Sequence, residues 1–172
     1  PLSPYAIGKS TASQIVRFYR DAYNLRCVNG FLSNHESILR GNRFVLGKVR
    51  EGIRKIKQGD ANEIRLGNID ISRDWGWAPD YSDALMRMIT DKRDNDYIIA
   101  TGESITLRQM VEEMFRLSEL DPRRFLRVSS TTRPLELTES LLDPKRIEAS
   151  LHWRAKKKGL DIASKLMKGD LW

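Results

Sequence analysis

The sequence predicts an α/β protein with parallel strand pairing. Segments with helical periodicity alternate with short apolar segments typical of strands along all 172 residues. The chain is 40% hydrophobic and 31% charged, which are ordinary values for a globular protein. No internal repeat, low-complexity segment or long linker interrupts the alternation. The length fits one domain or part of a two-domain unit.

The first part of the chain is predicted to hold two helices and two strands. Residues 3–24 favour a helix, because Ser3 is a suitable N-cap and Pro4 suits the first helical position. Residues 25–34 are apolar without alternation, which predicts a largely buried strand. The apolar stripe of the first helix comprises Ile15, Phe18, Tyr19 and Ala22. Next come a loop over 35–42, a helix over 44–59 that ends at Gly59, and a strand over 63–68.

The second part begins with residues 73–77, which are predicted as a turn-like stretch. Its two large rings, Trp75 and Trp77, are interpreted as core or domain-interface residues. The helix over 105–120 is predicted from a periodic apolar stripe of Leu107, Met110, Val111, Met114 and Phe115. The other predicted elements are a helix from Pro79 to residue 92, strands over 96–102 and 124–130, a helix over 143–153 with Asp143 as its N-cap, and a helix over 158–168.

Charge and cysteine content exclude several classes of protein. The net charge of +7 is spread evenly and no nucleic-acid recognition motif is present, so nucleic acid is not an expected partner. No apolar run approaches the roughly 20 residues that a membrane helix needs. The single cysteine, Cys27, is predicted to be a buried thiol in a reducing compartment such as the cytoplasm. Without a Cys-x-x-Cys motif or histidine cluster, no metal site is expected.

Tyr5 and Lys9 form a candidate catalytic pair near the start of the chain. At positions i and i+4 of a helix they project from one face. An ammonium group beside a phenol favours the phenolate and so lowers the pKa of the tyrosine toward the working range. Such a tyrosine can take a proton from a sugar hydroxyl while hydride leaves the same carbon. The alternative is that this common spacing occurs by chance.

Six segments, in order, carry a more specific resemblance: SPYAIGK, NGFLSNHES, RGNRFVLGKV, IRLGNIDISRDWGWAPDY, DYIIATGES and LLDPKRIEASLHW. Together they resemble the C-terminal half of the GDP-mannose 4,6-dehydratases, which belong to the extended short-chain dehydrogenase/reductase family. The resemblance covers nearly the whole chain and thins after residue 120. The phrases NHES and RDWG distinguish this family from the related UDP-sugar epimerases.

The resemblance implies the C-terminal part of a Rossmann-like NAD(P)-binding fold plus a smaller α/β domain that binds a nucleotide sugar. It implies that residues 1–34 and 71–101 belong to the cofactor domain and residues 35–70 and 102–172 to the substrate domain. The glycine-rich turn of the family's N-terminal half has no counterpart in these 172 residues. We therefore expect a truncated fragment with open sheet edges that must oligomerise or pair with the missing part.

The resemblance also implies NADP as the cofactor, with NAD left open. Tyr5 would be the catalytic base, and Lys9 would tune its pKa and bond the nicotinamide ribose. His35 and Arg40 match positions that contact NADP, where a guanidinium suits the 2′-phosphate. Read without the family, His35 would be a structural histidine at the end of a strand.

The expected substrate is GDP-mannose, which the family converts to GDP-4-keto-6-deoxymannose. By resemblance, Asn34 would hold the substrate near its phosphates and Arg73 would bind the diphosphate. The remaining implied substrate residues are Val45 and Lys48 at the guanine, and Arg133 and Glu136 at the closing edge of the pocket. Without the family, Lys48, Arg73 and Arg133 would be interpreted as surface charges.

Two alternatives remain open at the level of sequence. The first is a non-catalytic remnant that binds a nucleotide sugar, which the lack of the cofactor-binding turn favours. The second is another nucleotide-sugar epimerase or reductase of the same family, against which NHES and RDWG argue. Both alternatives keep the same fold.

Overall fold

The computed structural model describes residues 3–93, 95–129 and 137–169, in which short parallel strands alternate with helices. The helices are α1 (Pro4–Tyr23), α2 (Val45–Gln58), α3 (Ala78–Thr90), α4 (Leu107–Leu117), α5 (Pro122–Phe125), α6 (Lys145–Leu151) and α7 (Asp161–Lys168). The strands are β1 (Gly30–Leu32), β2 (Asn34–Glu36), β3 (Ile64–Leu66), β4 (Ser72–Trp77), β5 (Tyr97–Ile99), β6 (Ser104–Thr106), β7 (Leu126–Val128) and β8 (Glu139–Ser140). The predicted α/β class with parallel pairing is confirmed.

The strands form three small sheets within the described residues. β1 pairs with β5, β2 with β4, β3 with β7 and β8 with β4, all in parallel, whereas β6 runs antiparallel to β4. The β2–β4 register places Asn34 opposite Trp75 and Glu36 opposite Trp77. Since side chains alternate between the faces of a strand, these four side chains share one face of the pair.

Two helices show why the sequence forms these elements. α2 ends at Gly59, whose φ of 80° lies in the left-handed region that glycine adopts without strain. α4 begins with a capping box, in which Thr106 and Gln109 each satisfy a backbone amide of the other. The apolar stripe predicted for α4 is entirely buried.

The stretch 73–77 is a buried strand, so the predicted turn was wrong. The second half of Ser72–Trp77 pairs with β2, and its first half lies between β6 on one edge and β8 on the other. Gly76 is needed in this strand because a Cβ there would lie 2.3 Å from the hydroxyl of Tyr81. The interpretation of Trp75 and Trp77 as core residues is confirmed, since both are buried.

The strand predicted over 25–34 is shorter and more exposed in the structure than the sequence indicated. Regular pairing begins only at Gly30, and Leu25 and Phe31 are exposed. Cys27 is partly exposed rather than buried, and its thiol donates to the carbonyl of Val16 at 3.2 Å. Apolar composition indicated burial here, but among the described residues only β5 pairs with β1. A smaller correction concerns α6, whose N-cap is Pro144 rather than Asp143.

Two hydrophobic clusters support the fold. One lies between α2, β3, β4, α4 and α7 and includes Trp75 and Trp77. The other lies between α3, β5 and α6 and is built around Tyr81, Tyr97 and Trp153. α1 belongs to neither, because none of its residues is buried, and its predicted apolar stripe faces outward. In the part of the chain that the structure describes, no helix has the length and apolar character to span a membrane.

Candidate functional site

A polar cleft of about 420 Å³ opens between the β2–β4 face, the start of α2 and the segment after β3. Its cationic wall carries Arg40, Arg43 and Arg73. Its apolar side includes Phe44 and Val45. Other described lining residues are Asn34, Glu36, Leu66, Gly67, Asn68, Ile69, Ile71, Trp75 and Leu107. An open cleft with several guanidinium groups favours an anionic ligand.

Four of the predicted site residues meet in this cleft. Asn34 and Arg73 reach it because β2 and β4 are adjacent and present these positions on one face. Arg40 follows β2 in the loop before α2, and Val45 is the first residue of α2. Residues up to 39 positions apart in sequence are therefore brought together by the β2–β4 pairing.

Arg40 is held in place by three contacts. Its Nη1 donates to Oε1 of Glu36 at 2.9 Å and also to the carbonyl of His35. Its guanidinium lies over the ring of Phe44, 3.8 Å from the centroid. A planar cation fixed by a carboxylate and an aromatic ring is well ordered for binding an anion.

Glu36 is the most unusual group of the cleft, and the sequence reasoning missed it. Burial raises its pKa to about 7, although the nearby cations Arg40 and Arg50 act in the opposite direction. Its Oε1 is bonded to Arg40, whereas its Oε2 is buried without a hydrogen-bond partner among the described residues. The indole nitrogen of Trp75 is also buried without a hydrogen-bond partner among the described residues. The sequence neighbours of Glu36 in NHES are polar and give no local signal of its burial.

His35 lies between these positions but points to the other face of β2. Its Nδ1 is 3.0 Å from the carbonyl oxygen of Ser33, so this nitrogen carries the proton, since a carbonyl can only accept. Its ring lies 5.4 Å from that of Tyr81. His35 does not line the cleft that holds Asn34 and Arg40.

Asp74 supports this face from beneath, and sequence reasoning did not identify it. Its Oδ1 accepts from Ser33 Oγ at 2.9 Å and from the amide and hydroxyl of Thr101 at 3.0 and 2.9 Å. Its Oδ2 accepts from the amide of Gly102 at 2.9 Å. Ser33 Oγ also lies 2.5 Å from the hydroxyl of Tyr81, whose pKa is raised by burial. The network joins β4, α3, the β1–β2 corner and the end of β5.

Tyr5 and Lys9 lie outside the cleft, on the exposed face of α1. Tyr5 is 75% exposed, and Lys9 Nζ lies 5.7 Å from the centroid of its ring. The helix places the two side chains together, as the sequence predicts.

The remaining predicted residues do not join this arrangement. Lys48 lines a different depression and donates through Nζ to the carbonyl of Arg65 at 2.6 Å. Arg133 and Glu136 lie outside the described residues. No group of three or more potential metal-ligating side chains occurs within 3–93, 95–129 and 137–169.

Comparison with known proteins decides the family. A family model described as GDP-mannose 4,6 dehydratase matches residues 1–166. The chain belongs to the GDP-mannose 4,6-dehydratase family. GDP-mannose 4,6 dehydratase 1 of Arabidopsis thaliana is 36% identical over 157 residues, which are 91% of this chain and 44% of that protein. The Homo sapiens GDP-mannose 4,6 dehydratase is 45% identical over 115 residues, covering 67% of this chain and 31% of that protein.

The chain therefore spans about half the length of these relatives, or less.

Solved structures agree on the fold. RMD from Pseudomonas aeruginosa, complexed with NADPH, superimposes with a TM-score of 0.87 at 20% identity, over 98% of this chain and 56% of that one. The dTDP-glucose 4,6-dehydratase of Bacillus anthracis, in complex with NAD, gives 0.84 at 16% identity, over 98% and 52%. Because the sequence identities are this low, the two superpositions establish the fold of this dehydratase-family chain and nothing more.

Proposed function

We propose that this chain carries the nucleotide-sugar site of a GDP-mannose 4,6-dehydratase, an NADP-dependent lyase that converts GDP-mannose to GDP-4-keto-6-deoxymannose. The observation that carries the proposal is the cleft in which Arg40, Arg43 and Arg73 surround the polar end of β2. A diphosphate is the part of a nucleotide sugar that such a cationic wall binds. Family membership and relatives named as GDP-mannose dehydratases support the choice of sugar nucleotide.

The cleft offers separate surfaces for the parts of GDP-mannose. Arg73 and Asn34 would bind the diphosphate, because both side chains project from the β2–β4 face into the cleft. The apolar start of α2 at Val45 would contact the guanine. Lys48, now bonded to the carbonyl of Arg65, lies one helical turn further along α2 and would reach the base only after releasing that bond. Arg133 and Glu136 would close the site.

Of the residues proposed for the cofactor, Tyr5, Lys9 and His35 lie outside the cleft, whereas Arg40 lies inside it. Tyr5 and Lys9 are exposed on one face of α1, and His35 presents its ring on the face opposite the cleft. These groups are proposed to bind a nicotinamide dinucleotide, NADP in preference to NAD. When bound, that cofactor accepts a hydride and later returns it. Tyr5 would take the proton of the C4 hydroxyl, and the Lys9 ammonium would stabilise the phenolate. Arg40 would bind the 2′-phosphate only if it turned away from Glu36.

The proposed partner is a second copy of the chain. The apolar residues Ile15, Phe18 and Tyr19 on α1 are 46% to 58% exposed, which supports burial against another surface. From family membership we also propose a cofactor part (1–34 and 71–101) and a substrate part (35–70 and 102–172). The free thiol of Cys27 supports a cytoplasmic location.

A second candidate function is nucleotide-sugar binding without catalysis. It is favoured by one observation, namely that Tyr5 and Lys9 lie outside the cleft while Asn34, Arg40, Val45 and Arg73 lie inside it. In that case the cleft would bind GDP-mannose and the tyrosine would have no bound sugar to act on.

Calorimetric titration of the purified chain with GDP, GDP-mannose and NADP⁺, together with its mass in solution, separates these functions. Binding of GDP-mannose and NADP⁺ with formation of a 4-keto product supports the dehydratase. Binding of GDP-mannose without NADP⁺ binding or product supports the binding function. Absence of binding for GDP and GDP-mannose contradicts both. A mass equal to that of one chain contradicts the proposed oligomer.

A further inference from the structure

The cleft contains a second polar surface that differs in chemistry from its cationic wall. Glu36 is 2% exposed and Trp75 is 3% exposed, and both line the cleft. Glu36 Oε2 and Trp75 Nε1 are the buried polar atoms of the cleft that have no hydrogen-bond partner within the described residues. A buried carboxylate oxygen or indole N–H without a partner is costly, so each indicates a bound polar group.

The register explains why these two atoms belong to one surface. Asn34 is directly opposite Trp75, and Glu36 is two residues along β2 on the same face. The two side chains are therefore diagonal neighbours across the β2–β4 pair. The other carboxylate oxygen of Glu36 is already bonded to Arg40, which fixes the direction of Oε2.

The two unpartnered atoms select a particular kind of ligand group. Glu36 Oε2 can accept a hydrogen bond, and Trp75 Nε1 can only donate one. A phosphate oxygen satisfies the indole but would be repelled by the carboxylate. A hydroxyl group donates and accepts at the same atom, and so satisfies both.

We propose that Glu36 and Trp75 bind one sugar hydroxyl of the ligand, which donates to Glu36 Oε2 and accepts from Trp75 Nε1. The inference rests on the proposed function, because it assigns a role within the same cleft. It divides the cleft into a cationic wall for the diphosphate and a hydroxyl site for sugar. The hydroxyl comes from the ribose or from the hexose of the nucleotide sugar, and the ligands below distinguish the two sources.

The test compares four ligands by calorimetry on the full chain: pyrophosphate, GDP, 2′,3′-dideoxy-GDP and GDP-mannose. Trp75→Phe removes the N–H but keeps an aromatic ring. We expect this variant to leave pyrophosphate binding unchanged and to weaken a sugar-containing ligand about tenfold. The ribose is the source of the hydroxyl if Trp75→Phe weakens the binding of GDP and if the unmodified chain binds 2′,3′-dideoxy-GDP more weakly than GDP. Weakening of GDP-mannose alone identifies the hexose.

Two further variants control the interpretation. Trp153→Phe removes a buried indole N–H in the other hydrophobic cluster, away from the cleft, and is expected to leave all four affinities unchanged. Glu36→Gln should weaken the same ligand as Trp75→Phe, and the double variant should lose less than the product of the two single losses, because both act on one hydroxyl. If either variant fails to fold, the comparison of GDP with 2′,3′-dideoxy-GDP and of pyrophosphate with GDP-mannose on the unmodified chain still applies.

Several outcomes overturn the inference. Equal weakening of pyrophosphate by Trp75→Phe would mean that the indole only supports the fold, and unchanged affinities for all ligands would mean that the pair binds nothing. Loss of GDP affinity together with tight binding of 2′,3′-dideoxy-GDP would assign the pair to the base. In each of these cases the proposed function survives, because GDP still binds the unmodified chain. Failure of GDP and GDP-mannose to bind that chain overturns the proposed function and the inference together.

Discussion

Arg20 and Asp96 form a two-pronged ion pair that ties α1 to the strand β5. Nη1 and Nη2 of Arg20 donate to Oδ1 and Oδ2 of Asp96 at 2.8 and 3.2 Å. Asp96 also accepts from the backbone and side-chain amides of Asn29 at 2.8 and 3.3 Å. Because α1 buries no residue, this polar contact carries much of its attachment.

Asp96→Asn is expected to destabilise the chain and to loosen α1. Burial alone would raise the pKa of Asp96, but its bonds from Arg20 and Asn29 lower the pKa to about 2. The stabilisation is therefore present above the unfolded pKa of about 4 and is lost as the pH falls toward 2. We expect a loss of about 2 kcal/mol in the free energy of unfolding by urea at pH 7. The loss should be smaller at pH 2 to 3.

Asp21→Asn is the matched control for this change. Asp21 lies 3.9 Å from Nε of Arg20 and is largely exposed, so its removal is expected to have little effect. Equal losses for the two variants would contradict the view that the Asp96 pair anchors α1. Faster hydrogen exchange in residues 4–23, seen only in the Asp96 variant, would locate the loss.

Gly76→Ala is expected to destabilise β4 and with it the floor of the cleft. A Cβ at this position would lie 2.3 and 2.4 Å from the hydroxyl and ring atoms of Tyr81, a buried side chain bonded to Ser33. The ring cannot move without breaking that bond, so we expect a loss of about 2 kcal/mol in urea unfolding. Gly8→Ala is the control, because nothing lies within 4 Å of its Cβ and alanine favours the helix. A Gly76 variant as stable as the Gly8 variant would contradict the packing.

The helices were predictable from the sequence because their signals are local. Gly59 ends α2, and the stripe around Met110 and Phe115 forms the buried side of α4, as spacing alone indicates. The strand β4 was missed because Asp74 and Gly76 are locally typical of a turn. Their partners in the fold are distant, since Asp74 accepts bonds from residues 27 and 41 positions away.

The site was predictable only in part, for a related reason. By resemblance to the family, Asn34, Val45 and Arg73 were expected at the substrate and Arg40 at the cofactor, and the structure brings all four into one cleft. Glu36 was missed because its unusual state depends on burial against β4, which the sequence does not specify. Periodicity predicted the apolar stripe of α1 around Phe18 but could not show that it faces outward.

The buried carboxyl of Glu36 should make stability depend on pH. The pKa of Glu36 in the folded state, about 7, is higher than the ordinary value of 4.5. As the pH rises, the unfolded chain therefore loses this proton at a lower pH than the folded chain does. The native state is thus favoured at low pH, and this advantage disappears as the pH rises through about 7. Glu36→Gln removes the titration. From pH 4.5 to 8, its stability relative to the unmodified chain should rise by about 3 kcal/mol.

Urea unfolding at pH 4.5, 6 and 8 measures this change. Glu51→Gln is a control of the same chemistry, because Glu51 lies on the surface and its pKa is lowered by a hydrogen bond from Arg54. Its stability relative to the unmodified chain should stay flat from pH 6 to 8. A constant difference between Glu36→Gln and the unmodified chain at all three pH values would show that folding does not shift the pKa of Glu36.

Arg73→Gln tests whether the cationic wall binds a diphosphate. Arg73 projects from β4 into the cleft, and its Nη1 donates only to the adjacent carbonyl of Ser72 at 2.7 Å among the bonds described for it. We expect GDP and pyrophosphate to bind roughly tenfold or more weakly, because a charge-assisted bond to phosphate is lost. Arg108→Gln removes the same charge from an exposed pair with Asp70, so it controls for net charge. Equal weakening by both changes would indicate attraction by overall charge alone, and unchanged GDP affinity in the Arg73 variant would place the diphosphate elsewhere.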